Sequence, residues 1–298
     1  MGGRKKRRNN QTLIFYLFIS PWLFGFLVLA AGPMIYSLYM SFTDWQIFGG
    51  AEWIGLENYK NLFFDDPLFW KTLWNTFYFT FFGVPLSLVF GYLLAVLLNQ
   101  KVKFMGVFRT IFYLPSIVPA VASSLLWLLI FQPEFGLANA VLDFFSLPTS
   151  NWILSESMVK PALIIMGLWG VGGGMVIYLA GLQGVPPSLY EAADIDGAGK
   201  FRKFWNVTVP MTSHVIFFNL IMGIIGSFQV FTQAYVMSNG GPNYASLFYV
   251  LYLYQNAFQF FKMGYASALA WILFLIILVF TLLQFKFFGK KVYYEYDD

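Results

Sequence analysis

Between two long apolar runs the chain reads Leu182-Gln-Gly-Val-Pro-Pro-Ser-Leu-Tyr-Glu191-Ala-Ala-Asp-Ile-Asp-Gly197-Ala-Gly-Lys-Phe-Arg-Lys-Phe-Trp-Asn-Val207-Thr-Val-Pro210. Pro186-Pro187 opens a helix, because proline suits a helix's first turn. Glu191 is expected near the positive end of that helix, where a carboxylate is favoured. Ala192 and Ala193 form helix well and carry almost no bulk, so another surface can approach closely. Gly197 and Gly199 end the helix, and Lys200-Phe-Arg-Lys-Phe-Trp205 begins a basic, aromatic segment. The stretch predicts a short helix held outside an apolar phase, presenting a carboxylate between small residues. An ordinary amphipathic interfacial helix would fit the same spacing.

The apolar phase is set by composition. Of 298 residues, 59% are hydrophobic and only 11% charged, against about 25% charged in soluble domains. That excludes a soluble globule and, equally, a disordered chain. There is no cysteine and one histidine, His214, which excludes a disulfide scaffold, Cys-based chemistry and a multi-His metal site. Stretches free of Asp, Glu, Lys and Arg run over Asn9–Thr43, Thr72–Gln100, Thr110–Pro133, Pro161–Tyr190, Phe204–Phe261 and Met263–Phe285. Each can hold one helix of about 20 residues, enough to cross a bilayer. The fifth contains Ser238-Asn-Gly-Gly-Pro-Asn243, a turn signal, so an extramembrane segment is expected from there to about Tyr265. Six helices are predicted, near 13–40, 74–98, 110–131, 161–183, 213–237 and 265–287. The runs are too long and too uniformly apolar for barrel strands. The first exceeds a signal peptide's apolar region and is read as an uncleaved helix, despite Ala30-Ala31-Gly32.

Lysine and arginine set the orientation. With the N-terminus inside, the inner segments carry Arg4, Lys5, Lys6, Arg7, Arg8, Lys101, Lys103, Arg109, Lys200, Arg202, Lys203, Lys286, Lys290 and Lys291. The outer ones carry Lys60, Lys71, Lys160 and Lys262. Both termini are therefore expected in the cytoplasm. The basic Arg4–Arg8 run is a topology signal; no nucleic-acid module accompanies it.

Apart from Lys286 at the inner end of the last one, the predicted spans hold no Asp, Glu, Lys or Arg. An intramembrane enzyme or an ion-coupled carrier usually keeps an ionisable residue there. His214, at the cytoplasmic start of the fifth helix, reads as interfacial. No phosphate-binding loop is present, and Asp194-Ile-Asp196-Gly197 lacks the spacing of a calcium loop. Gly170-Val-Gly-Gly-Gly174 serves either close helix packing or a loosened helix beside a cavity. In the fifth helix Gln229, Thr232 and Gln233 are expected to share one face, with Phe228, Phe231 and Tyr235 on a neighbouring one. Amides and aromatic rings together suit a sugar; helix gluing and core filling suit the same residues.

The loop closely resembles the EAA loop of binding-protein-dependent ABC importer permeases. That pattern is Glu-Ala-Ala, three residues, Gly, nine residues, Ile-x-Leu-Pro. It stands here as Glu191-Ala192-Ala193, Gly197 and Val207-x-Val209-Pro210, with two apolar-for-apolar departures. Supporting stretches are Gly55-Leu-Glu-Asn-Tyr59, Phe108-Arg-Thr-Ile-Phe-Tyr-Leu-Pro115, Leu182-Gln-Gly-Val-Pro186 and Gly240-Gly-Pro242. They are similar to the carbohydrate subfamily, which includes maltose-type and glycerol-3-phosphate-type permeases.

The resemblance implies an all-α, polytopic type I ABC importer transmembrane domain, a five-helix core plus one peripheral N-terminal helix. Its expected divisions are a basic N-terminus at 1–12, the peripheral helix at 13–43, an external loop at 44–71, the transmembrane domain at 72–288 with its coupling loop at 184–212, and a cytoplasmic tail at 289–298. It implies a coupling helix over Ser188–Asp196, with Ser188, Leu189, Tyr190, Glu191, Ala192, Ala193 and Gly197 facing an ATPase. It also implies substrate contacts in the fifth helix, at Ser227, Phe228, Gln229, Phe231, Thr232, Gln233 and Tyr235, and mid-way along the fourth, at Gly173 and Gly174. The implied partners are two ATPase subunits, a second, homologous permease in a heterodimer, an extracytoplasmic solute-binding protein and membrane lipid. No cofactor or metal is expected on this chain; ATP and Mg belong to the ATPase. The setting implied is a bacterial or archaeal inner membrane. With no Lys or Arg in the spans but Lys286, a neutral mono- or oligosaccharide is expected over glycerol 3-phosphate. The rival reading is a stand-alone carrier or channel for a small polar solute.

Overall fold

The computed structural model describes residues 2–46, 50–100 and 102–289. Lys101, Lys290, Lys291 and the expected tail beyond Gly289 lie outside the described residues, as do the side chains of Arg4–Arg8. The first span runs through α1 (Gly2–Gly25), a π turn at Phe26–Ala31 and α2 (Gly32–Met40). It is apolar over Ile14–Met40, and the most apolar part buries nothing. A helix apolar on all sides needs lipid or protein around it.

A short antiparallel pair follows, β1 (Thr43–Asp44) with β2 (Glu52–Trp53), then α3 (Glu57–Lys60) and a π turn at Asn61–Asp65. The Asn58 amide ties this hairpin by donating to the Ser41 and Thr43 carbonyls at 2.9 and 3.0 Å. Gly264 donates its N–H to the Trp45 carbonyl at 3.1 Å. A Cβ there would stand 2.0 Å from the Thr43 carbonyl oxygen, so only glycine fits. These contacts lie within one compact unit, Met1–Asp65 with Tyr254–Ile272.

The second unit, Asp66–Leu253 with Leu273–Asp298, is larger. It is organised on α4 (Pro67–Leu98). Asp66 caps that helix by accepting from the Leu68 and Phe69 N–H groups, and Pro67 occupies its first turn, where the missing donor costs nothing. There follow α5 (Met105–Ile117), α6 (Ala120–Ile130), α7 (Leu137–Phe144), α8 (Val159–Trp169), α9 (Gly172–Gln183) and α10 (Pro187–Ile195). Then come α11 (Lys200–Lys203), α12 (Val209–Met211), α13 (Ser213–Phe228), α14 (Thr232–Met237), α15 (Tyr249–Tyr254) and α16 (Met263–Phe288). α4 packs against α8, α9 and α13. Tyr92, Ala95 and Leu98 of α4 meet Met175, Tyr178, Leu179 and Leu182 of α9 in a buried cluster. Among the described residues three helices are long and apolar enough to cross a membrane, and up to six spans exist if each bent pair is one.

Bends are where the structure departs from the straight helices expected. The predicted helix 110–131 is α5 plus α6, bent by 98°. Pro119 has no N–H and pushes Val118 out of the helical region, and Val118 sits at φ −69, ψ 130. The predicted helix 161–183 is α8 plus α9, bent by 48° at Gly170-Val171. The predicted helix 213–237 ends at Phe228 and resumes at Thr232. Phe228 is held by Phe77 and Phe280, while Phe231 stacks on Tyr235; the chain breaks between these anchors. The segment after Ser238 is packed against the bundle. Ala245, Ser246, Leu247, Phe248 and Tyr249 are buried. The Asn75 amide of α4 donates to the Tyr244 and Leu247 carbonyls, and Thr76 accepts from the Tyr249 N–H.

The glycines at the fourth span's bend divide sharply. A Cβ on Gly172 would stand 2.0 Å from the Phe112 carbonyl oxygen, whereas one on Gly173 would meet the Ser116 side chain at 3.5 Å. Gly172→Ala is therefore expected to lose about 1–3 kcal/mol through overpacking, and Gly173→Ala to be neutral or mildly stabilising. Thermal unfolding in detergent reads the difference; equal transitions for the two variants would refute this packing.

Candidate functional site

Within the larger unit the helices border an open cavity of ≈ 590 Å³. Its wall comes from α4 (Phe79, Gly83, Val84, Ser87, Leu88), from Ala120 at the start of α6, and from Ile164, Gly167, Gly170, Val171, Gly174 and Tyr178. α13 adds Asn219, Met222, Gly223, Gly226 and Ser227, and Gln229–Gln233 closes the ring. Gly167, Gly170 and Gly174, spaced three and four residues apart across the α8–α9 bend, and Gly223 and Gly226 on α13 leave the wall without side chains there. Three helix breaks border the space: Pro119-Ala120, Gly170-Val171 and Gln229–Phe231. Irregular backbone at membrane depth is tolerated where it lines such a cavity.

The lining is mostly apolar, with a few neutral polar side chains and no charged one. Asn219 donates its amide to the Val215 carbonyl at 2.9 Å, and its Oδ1 stands beside Gly174, 3.2 Å from where a Cβ would be. Ser227 donates to Thr80 Oγ1 at 2.9 Å. Gln229, Thr232 and Gln233 line the cavity. The arrangement offers amide and hydroxyl groups to a neutral, hydroxyl-rich solute and no counter-charge to an ion.

Of the residues expected in the pathway, Ser227, Gln229, Phe231, Thr232, Gln233 and Gly174 line the cavity. They do so across a break, so Gln229, Thr232 and Gln233 do not share a helical face as the sequence suggested. Phe228 is buried against Phe77 and Phe280, Gly173 faces Ser116, and Tyr235 stacks on Phe231; none of the three lines the cavity. Sequence reasoning missed Asn219, Ser87 and Tyr178. Asn219 carried a signal, as an amide four residues before Gly223 in an apolar helix.

The second region is α10. Its exposed surface includes Leu189, Glu191, Ala192 and Ile195. Pro187 occupies its first turn. Gly197 takes φ +70, with its N–H bonded to the Asp194 carbonyl at 3.0 Å and that of Ala198 to the Ala193 carbonyl at 2.9 Å. That is a Schellman ending, which needs a left-handed residue at Gly197. One expectation is corrected: α10 starts at Pro187 and has no acidic residue in its first turn, so Glu191 lies in the second. The helix dipole acts within the first turn and does little for it. Lys203 and Asp194 form the one ion pair among the described residues, at 2.6 Å.

Residues 87–292 match a family model described as the binding-protein-dependent transport system inner membrane component. The chain belongs to this family of ABC importer permeases. The permease is similar to the probable ABC transporter permease protein YesP of Bacillus subtilis (strain 168), 42% identical over 297 residues, covering 98% of this chain and 96% of that one. It is 36% identical over 279 residues to the arabinooligosaccharides transport system permease protein AraP of the same organism, covering 92% and 88%. Its fold matches a chain of a bacterial ABC transporter involved in importing the acidic polysaccharide alginate, with a TM-score of 0.84 at 22% identity over 96% of this chain and 99% of that one. The fold is that of a type I ABC importer transmembrane domain. Membership of this family does not favour a stand-alone carrier.

Loss of one hydrogen bond to a neutral partner costs about 0.5–1.5 kcal/mol, or roughly 2- to 12-fold in binding. Asn219→Ala and Gln233→Ala are expected to raise the half-saturating concentration of the transported solute within that range, with Gly173→Ala unchanged. Uptake by assembled transporter at limiting solute is the measurement. Wild-type behaviour of both cavity variants would remove this cavity from the transport path.

Proposed function

We propose that this permease forms the transmembrane path for a neutral sugar or oligosaccharide in an ATP-driven importer of the bacterial or archaeal inner membrane. The observation that carries the reading is the uncharged, amide- and glycine-lined cavity at three helix breaks. The carbohydrate named for AraP supports it. An extracytoplasmic solute-binding protein delivers the sugar, and a second, homologous permease supplies the other half of the path. Hydrolysis belongs to two separate ATPase subunits, which hold ATP and Mg; this chain binds no cofactor. Both termini lie in the cytoplasm, by the distribution of basic residues.

In this reading α10 docks into the ATPase through Ser188, Leu189, Tyr190, Glu191, Ala192 and Ala193, with Gly197 ending the helix. Exposed Leu189 and Ile195 flank the small residues, and the helix exposes two carboxylates, Glu191 and the Asp194 that pairs with Lys203. Since Glu191 lies beyond the reach of the helix dipole, its role is at the interface. A charge-assisted contact with a basic group of the ATPase is worth about 1.5–3 kcal/mol. Closure of the ATPase pair on nucleotide then moves α10.

Two measurements test this reading. Glu191→Gln should leave the bundle inserted and the complex assembled, yet abolish the stimulation of ATP hydrolysis by sugar-loaded binding protein; undiminished stimulation would refute the role. Single cysteines suit a chain that has none. A cysteine at Ser157 should react with an impermeant reagent from outside intact cells, and one at Asp196 should not. The reverse pattern would invert the topology.

A further inference from the structure

Hydroxyl bonds, the Thr208 backbone and a ring contact together link α10 to the cavity wall. Tyr190 of α10 meets Thr208 Oγ1 at 3.1 Å. Thr212 Oγ1 donates to the Thr208 carbonyl at 2.7 Å. Having spent its single proton there, it accepts from the Tyr92 hydroxyl of α4 at 2.7 Å. The Tyr92 ring stands edge-on to Tyr178 of α9, with centroids 5.4 Å apart. Tyr178 lines the cavity. Gly91 and Gly174 leave its ring room, a Cβ at either lying 3.3 or 3.8 Å from its Cε2.

The link is buried throughout its middle, with Thr212 fully covered and Tyr92 and Thr208 nearly so. It runs through a hinge. Thr212 is the residue at which Lys200–Met211 turns by 66° into α13, and α13 carries Asn219, Gly223, Gly226 and Ser227 to the cavity. Behind the hinge the packing is tight, since a Cβ on Gly181 would stand 2.6 Å from Val215. A displacement of α10 at Tyr190 therefore meets a hydrogen-bonded hinge that has little slack.

We propose that Tyr92 and Thr212 are positioning residues that deliver the movement of α10 to the cavity wall, through the hinge at Thr212 and the Tyr178 ring. This rests on the reading of α10 as the segment docked to an ATPase. Coupling through packed groups is established only by showing that both ends bias the same element.

The test uses the complete transporter in liposomes, with binding protein and sugar, and reads sugar imported per ATP hydrolysed. Removing one hydroxyl of a buried pair strands its partner, whereas replacing both by apolar groups of the same shape is nearly neutral for the fold. The decisive variant is thus Tyr92→Phe with Thr212→Val. It should assemble and unfold like wild type and keep its unstimulated ATP hydrolysis. Sugar per ATP should fall at least about fivefold, the lower end of typical coupling between sites. Thr212→Ser, which keeps the hydroxyl, should retain the wild-type ratio. A purely structural role would lower uptake and hydrolysis together and leave the ratio unchanged. A ratio within about twofold of wild type in the double variant, the scale of non-interacting sites, would overturn the proposal. The controls separate its failure from that of the underlying reading. If Glu191→Gln loses coupling while the double variant keeps it, the role of this link alone is wrong. If the wild-type complex shows no response to loaded binding protein, the docking reading falls and the proposal with it.

Discussion

A helix interrupted inside a bilayer leaves backbone donors and acceptors that lipid cannot satisfy, so interruptions survive only against protein or a wetted cavity. This constraint organises the larger unit. Its spans break at Val118-Pro119, at Gly170-Val171, at Thr212 and at Gln229–Phe231. Three of the four breaks line one cavity, and the fourth is the hinge that Tyr92 secures. Those three breaks and the side chains of Asn219, Gln229 and Gln233 thus border a common space. Uncharged lining follows from the same logic, because an unpaired charge at that depth costs several kcal/mol and a hydroxyl-rich solute needs none.

The cytoplasmic end obeys a different economy. α10 is nine residues long, too short to be stable alone. Pro187 starts it, the left-handed Gly197 stops it, and the Lys203–Asp194 pair with the Tyr190–Thr208 bond fastens it to the following segment. The pair is exposed on the Asp194 side and contributes little by itself. Helix, ion pair and hydroxyl bond together make a stiff projection joined to the bundle at the foot of α13.

Much of this was legible in the residues. Charge-free runs located the spans, because a bilayer excludes charge, and Pro187 and Gly197 bounded α10, because both act through local backbone geometry. The breaks were only partly legible. Pro119 and the Gly170–Gly174 cluster are local signals that the apolar character of their runs hid. The break at Gln229–Phe231 has no proline or glycine of its own; it arises because Phe228 is seated between Phe77 and Phe280, contacts far away in sequence. The burial of Ala245–Tyr249 depends likewise on Asn75, about 170 residues earlier. Gln229, Thr232 and Gln233 were found as a group for their chemistry, but on the false premise of a continuous helix. Tyr178 was missed because nothing in its neighbours marks it as facing a cavity.

The central claim is that the space ringed by Ala120, Gly170-Val171 and Gln229–Gln233 is where the solute crosses. A structure of the assembled transporter, trapped with its binding protein, sugar and a non-hydrolysable ATP analogue, tests it most directly. Sugar density bounded by those residues, with amide contacts from Asn219, Gln229 or Gln233, is the predicted result. Sugar held elsewhere in the complex, with side chains of this permease filling the cavity, would contradict it.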